Sequence, residues 1–179
     1  MNERSKPHRA GGFSDRLRLL HRQIDDDAGR LERVHAERLR CRRGCNDCCV
    51  DEITVFAVEA DRIRERHPEL LASGTPHAVG ACAFLDHEGA CRIYEDRPYV
   101  CRTQGLPLRW LDEDRGQTVE LRDICPLNEE GPAIETLAEE ACWTLGPYEG
   151  RLAALQAETG AGMERVPLRS LFTAPGENG

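Results

Sequence analysis

The chain predicts a small α+β fold: a single, mainly helical domain with a short β-hairpin, whose cysteine-bearing loops need a support other than a large apolar core. Three observations predict it. Leu17, Leu20, Ile24, Ala28, Leu31 and Val34 recur at spacings of three and four, the period of a helix with one buried face. LPLRWL and TVELR alternate apolar and polar residues on either side of DEDRGQ, the pattern of a hairpin with an acidic, exposed turn. Nine cysteines occur in 179 residues, and four of them crowd into CRRGCNDCC, Cys41 to Cys49.

Taken in order, residues 1–12 are polar and rich in Gly and Pro, and are expected to be disordered. Residues 13–40 form an amphipathic helix, with Ser14 as N-cap, that runs into the cysteine cluster. Ile53 to Val58 is a short β-prone run, and EADRIRERH is a short helix stopped at Pro68. Ala72 to Gly80 is a linker. Pro98 suits the first turn of a helix, capped by Asp96 or a neighbour. Pro132 opens a helix carrying Ile134, Leu137, Ala138 and Ala141, and a last helix covers Tyr148 to Glu158. Residues 41–158 make up the cysteine-cluster domain, and 159–179 form a weakly structured tail.

Composition narrows the function. Charged residues are 31% and aromatic residues 5%, so apolar burial alone leaves stability thin for a domain of this size. The net charge of −8 argues against nucleic acid as the partner, although the first 50 residues are locally basic. The N-terminus has no apolar signal region and no run is long enough to span a membrane, so a soluble, cytoplasmic protein is expected. In a reducing compartment, clustered thiols point to metal or redox chemistry rather than structural disulfides.

The thiols fall into two groups. Cys41, Cys45, Cys48 and Cys49 lie within nine residues; Cys82, Cys91 and Cys101 are separated singles, followed by Cys125 and Cys142. Short spacings let a loop aim several sulfurs at one ion, and distant cysteines close the site through the tertiary fold. Gly44 helps the loop turn back. Cys48 and Cys49 point in different directions from an extended backbone, so both ligate only if the loop turns or if two metal atoms are present. Cys101, near the start of the helix opened by Pro98, is expected to be favoured as thiolate by the helix dipole. Arg42, Arg43, Arg92 and Arg102 flank cluster cysteines and are candidates to hydrogen-bond their sulfurs. The spacing Cys41-x3-Cys45-x2-Cys48 is similar to that of radical S-adenosylmethionine enzymes, but Asp47 stands where that motif has an aromatic and too little chain follows for the usual barrel.

CRRGCNDCC followed by CAFLDHEGACRIYEDRPYVCR resembles the CxxCxxCC family of zinc- or iron-chelating cysteine-cluster proteins, the YkgJ-like group. The matching positions are the first cluster and then Cys82, Leu85, Cys91, Ile93, Tyr94, Arg97, Pro98, Cys101 and Arg102, spanning roughly residues 41 to 102. One extra residue lies between Cys41 and Cys45. The resemblance implies a metal site, zinc or iron-sulfur; flagellin lysine methylases carry a similar cluster, so a modifying enzyme is a further implication. No GxGxxG nucleotide fingerprint is present.

These observations lead to a metal-binding protein with Cys41, Cys45, Cys48, Cys49, Cys82, Cys91, Cys101 and Cys125 as ligands to an Fe–S cluster or Zn²⁺. Iron-sulfur is favoured because the pattern is unlike the paired C-x2-C knuckles of a zinc ribbon. A redox or group-modifying enzyme is one alternative; the other is a structural zinc module that recruits a protein partner through the N-terminal helix. His87, in the turn DHEGA, reads as solvated, Glu59 as serving the dipole of its helix, and Cys142 is left open between ligand and inert buried thiol.

Overall fold

The computed structural model describes residues 10–42, 44–114 and 116–172. Helix α1, Ala10–Val34, starts before the expected Ser14 cap, and Ser14 instead reaches sideways to Glu65. Of the residues expected to be disordered, 10–12 belong to this helix and 1–9 lie outside the described residues. The apolar stripe is real through Leu17, Leu20, Ile24, Ala28 and Leu31, all buried; Val34, at the helix end, is 65% exposed. After Val34 the chain turns rather than continuing as helix to residue 40.

Strand β1, Thr54–Phe56, runs directly into α2, Ala57–Arg66. Pro68 both ends α2 and opens α3, Pro68–Ser73, because its fixed φ and missing N–H suit a first helical turn. A 3₁₀ turn over Tyr94–Asp96 leads into the four-residue α4, Tyr99–Arg102. Pro98 is the N-cap residue there, without a side-chain cap; Asp96 turns away to Arg62 and His67 instead.

The hairpin forms as expected, with β2, Leu108–Asp114, and β3, Gln117–Asp123, antiparallel and Asp114 opposite Gln117. Its turn is tighter than DEDRGQ suggested, and Gly116 supplies the left-handed backbone, with φ at 80°. Strand β4, Trp143–Thr144, joins β2 in parallel, giving the order β3-β2-β4. Helix α5, Pro147–Ala157, matches the expected last helix closely.

Two expectations fail. The helix from Pro132 is replaced by 3₁₀ turns over Ile134–Thr136 and Glu139–Ala141. The Arg122 guanidinium takes the carbonyls of Ile134 and Leu137, the acceptors a continuous helix would have used. Of the expected weak tail, 173–179 lie outside the described residues, but 165–172 are built into the core: β5, Arg165–Pro167, pairs antiparallel with β1, and Leu168, Leu171 and Phe172 are buried. Burial of these side chains against Phe84, whose ring lies 4.9 Å from that of Phe172, supplies what the short local pattern lacks.

The apolar side chains form two clusters. One gathers the α1 stripe with Phe56, Tyr99, Trp143, Leu152 and Leu155. The other lies under the loops and holds Val55, Ile63, Phe84, Ile93, Leu168 and Phe172 among its members. Among the described residues no helix is long and apolar enough to cross a membrane.

Candidate metal centre

The loop that carries the first cysteines turns twice. Gly44 takes φ at 90°, with the Cys45 amide donating to Arg42 O, and the Cys49 amide then donates to Asn46 O. This second turn re-aims the adjacent Cys48 and Cys49 so that both line one cavity. The second segment is stitched to the first: Cys82 N donates to Cys49 O at 2.8 Å, Val50 bridges Ala81, and Asn46 donates to Gly89 O. A bridge between Leu85 and Cys91 folds the DHEGA turn outward, leaving the His87 side chain 91% exposed and away from the sulfurs.

The result is a cavity of about 150 Å³ lined by Cys41, Cys45, Cys48, Cys49, Cys82, Cys91 and Cys101. Seven of the eight expected ligands therefore share one space. Cys125 is not among its lining residues, but lies near enough for its charge to act on Cys41. Cys142 is elsewhere, buried, with Arg122 Nη1 at 3.8 Å from its sulfur. Among the described residues no three His, Cys, Asp or Glu side chains converge in a ready metal-holding group; the sulfurs surround the cavity instead of meeting in it.

The thiols lie close enough to raise one another. Cys101 feels the charges of Cys82, Cys91 and Cys48, and Cys49 feels those of Cys48, Cys82 and Cys101. Cys41 feels Cys45, Cys125 and Cys48. Cys48 acts on all three. The hydrogen bond from Cys49 pulls the Cys48 thiol down to about 7, against burial, while the same bond and burial hold Cys49 well above the usual thiol range. Burial raises Cys82 and Cys91, opposed by the amides of Phe84 and Ile93, each two residues further along the chain. The thiolate expected at Cys101 does not follow from α4: burial, then the neighbouring cysteines, push this thiol far up, and a four-residue helix offers little dipole against them.

Nor do the flanking arginines act as expected. Arg92 donates to the carbonyls of Phe84 and Ala83, and Arg102 to Asp25 and Glu95 O. Arg42 and Arg102 line the cavity without a hydrogen bond to sulfur among the described residues; Arg43 lies outside them.

Sequence reasoning missed the residues that hold these loops. Asn128, fully buried in the turn after Cys125, donates to Cys41 Sγ at 3.3 Å and to Gly105 O, and accepts from Arg40 N. A Cβ on Gly105 would stand 2.3 Å from that sulfur, so only glycine permits the approach. Glu59 does more than serve a helix dipole: buried at 2% exposure, it accepts from Tyr99 N and Phe56 N and lies 3.0 Å from His21 Nε2, so it ties α1, α2 and the start of α4 together. Arg169 bonds Asp51 and the carbonyls of His77, Ala78 and Ala81, clamping both cysteine segments to the C-terminal strap. Asn128, three residues after Cys125, and Arg169 carried no local signal, and the place of Glu59 at a helix start pointed only to the dipole.

Thiolates suit both zinc and iron, and seven around one cavity fit such a group. Residues 40–126 match the family model CxxCxxCC, described as "Putative zinc- or iron-chelating domain". No curated protein and no solved structure matches the chain. The double turn, the shared cavity and the family match lead to one conclusion: residues 40–126, a little under half of the chain, match the CxxCxxCC family of zinc- or iron-chelating domains.

Proposed function

We propose that the protein is a cytoplasmic metal-binding protein whose cysteine cavity holds iron and sulfide in preference to zinc. The observation that carries metal binding is the seven sulfurs on one cavity, more than the four that either a tetrahedral zinc site or an iron-sulfur cluster takes; iron-sulfur is favoured over zinc because one dense loop with separated single cysteines is unlike the paired C-x2-C knuckles of a zinc ribbon. Iron-sulfur clusters are held by cysteine thiolates and tuned by their surroundings, and the Phe84 and Ile93 amides favour the thiolate at Cys82 and Cys91 against burial. Cys45, Cys48, Cys49, Cys82, Cys91 and Cys101 would be the principal holders, with Cys41 and, from outside the cavity lining, Cys125 as additions. Metal analysis and an ultraviolet-visible spectrum of protein purified anaerobically without added metal test the reading. Stoichiometric iron and sulfide, with a brown absorbance that bleaches on reduction, is the expected result; colourless protein with one or two zinc ions would replace iron by zinc, and metal-free folded protein would remove the reading.

A second reading, a redox or group-modifying enzyme, is favoured by the cavity itself. A purely structural site is closed by its own ligands, whereas here Tyr94, Arg97 and Gln104 also line the space. The alternative of partner recruitment through the apolar stripe of α1 is less favoured, because that stripe is consumed by the core.

A further inference from the structure

We propose that Asn128 is a positioning residue of the metal centre: its side-chain amide fixes the Cys41 sulfur at the cavity wall and stays hydrogen-bonded to it when it carries metal. This rests on the reading that the cysteines hold a metal, and assigns the polar side chain that readies one of them.

Cys41 is the cysteine that most needs fixing. Of the seven that line the cavity it alone is exposed, and it also lines a second cavity, of about 140 Å³, beside Glu32, Leu39 and Gly105. A side chain free to turn between two spaces loses that freedom on ligation, and one already held avoids the loss.

Asn128 holds it. The residue is fully buried, and its carboxamide has three protein partners: Oδ1 accepts from Arg40 N at 2.7 Å, and Nδ2 donates to Gly105 O at 2.8 Å and to Cys41 Sγ at 3.3 Å. The Arg40 amide can only donate, so it takes Oδ1 and turns the NH₂ end to the sulfur. The backbone is held as firmly, since Asn128 N donates to Cys125 O and Asn128 O accepts from Nε of the buried Arg38. Sulfur accepts such a hydrogen bond most strongly as a thiolate, which is also the form that ligates. Partners of this kind orient metal ligands and tune thiolate-bound metals.

A clamp between two loops would need only Arg40 N and Gly105 O. The missing side chain at Gly105 serves something more: a Cβ there would overlap Cys41 Sγ and stand 3.1 Å from Asn128 Nδ2, so the bare backbone leaves room for sulfur and amide to meet. Among the described residues no other sulfur on the cavity accepts a side-chain N–H.

Nuclear magnetic resonance of the full-length protein loaded with ¹¹³Cd²⁺, a magnetic ion that thiolates bind, tests this without a variant. One Nδ2 proton of Asn128 should be split by the metal through the Cys41 sulfur, and the splitting should vanish with non-magnetic ¹¹²Cd²⁺. Bound cadmium with neither Asn128 proton split overturns the proposal alone; folded protein that takes up no cadmium overturns it together with the metal reading. Release of bound cadmium to excess EDTA gives a second measurement. Asn128→Asp, which keeps the acceptor for Arg40 N but brings no N–H to the sulfur, should release metal about tenfold faster. In a Cys41→Ala background the same substitution should change release by no more than about twofold. Unaltered release, or an equal acceleration without Cys41, also overturns the proposal.

Discussion

The two halves of the molecule are stabilised by different means. Around α1 and α5 the backbone is regular, and a continuous apolar stripe meets Tyr99, Trp143 and Leu152; the Trp143 indole even finds a buried partner in the Tyr99 hydroxyl at 2.9 Å. Around the cysteines the backbone is loop, bridged by isolated pairs and by polar side chains such as Asn128 and Arg169. Helical periodicity lets a segment satisfy its own backbone and bury one face, while loops must obtain both from elsewhere. Thiol ligands therefore belong where regular structure is least able to hold the chain.

The largest test of this contrast is metal removal. Chelation should strip protection from amide exchange across residues 41–53 and 77–102 while α1 and α5 stay protected, since metal binding can supply on the order of 10 kcal/mol to the part it organises. Equal loss in both halves would show that they are not energetically distinct. Next is Leu152→Ala, at a fully buried site in the helical half. It should cost about 3 kcal/mol in urea unfolding while metal content stays unchanged.

Glu59→Gln probes the junction between the halves. An amide cannot accept on both sides as the carboxylate does from Tyr99 and Phe56, so a loss of about 2 kcal/mol is expected, accompanied by weaker metal retention because α4 carries Cys101. A stability loss with unaltered metal retention would place Glu59 in the helical half alone. The smallest effect is at Asp51, which Arg169 holds at about 2. A depressed carboxyl contributes its stability above the unfolded value of about 4 and loses it as pH falls towards about 2. The stability difference between the wild type and Asp51→Asn should therefore be present at pH 7 and shrink between pH 4 and pH 2; a constant difference would remove the Asp51 carboxylate from the clamp.

Legibility in the sequence followed the same divide. The α1 stripe, the hairpin and α5 were readable because each carries its own period over many residues. The crowding of Cys41 to Cys49 was readable from short spacings, and seven of the eight cysteines expected as ligands line one cavity. What escaped was long-range. RVPLRSLF is too short to announce a strand, and its partner, Thr54–Phe56, lies more than a hundred residues earlier. The Pro132 segment had a helical apolar period, but Arg122, from β3, captured its carbonyls. Asn128 and Glu59 have meaning only through residues that the fold brings to them.

The Arg169 clamp also sets an order of events. Leu168 and Arg169 wall and fasten a cavity whose last lining cysteine, Cys101, is synthesised far earlier. At roughly 5 to 20 residues per second the ribosome needs several seconds to cover that distance. Throughout that interval the thiols are translated but one wall is missing, and the cavity stays open on that side until Leu168 and Arg169 arrive.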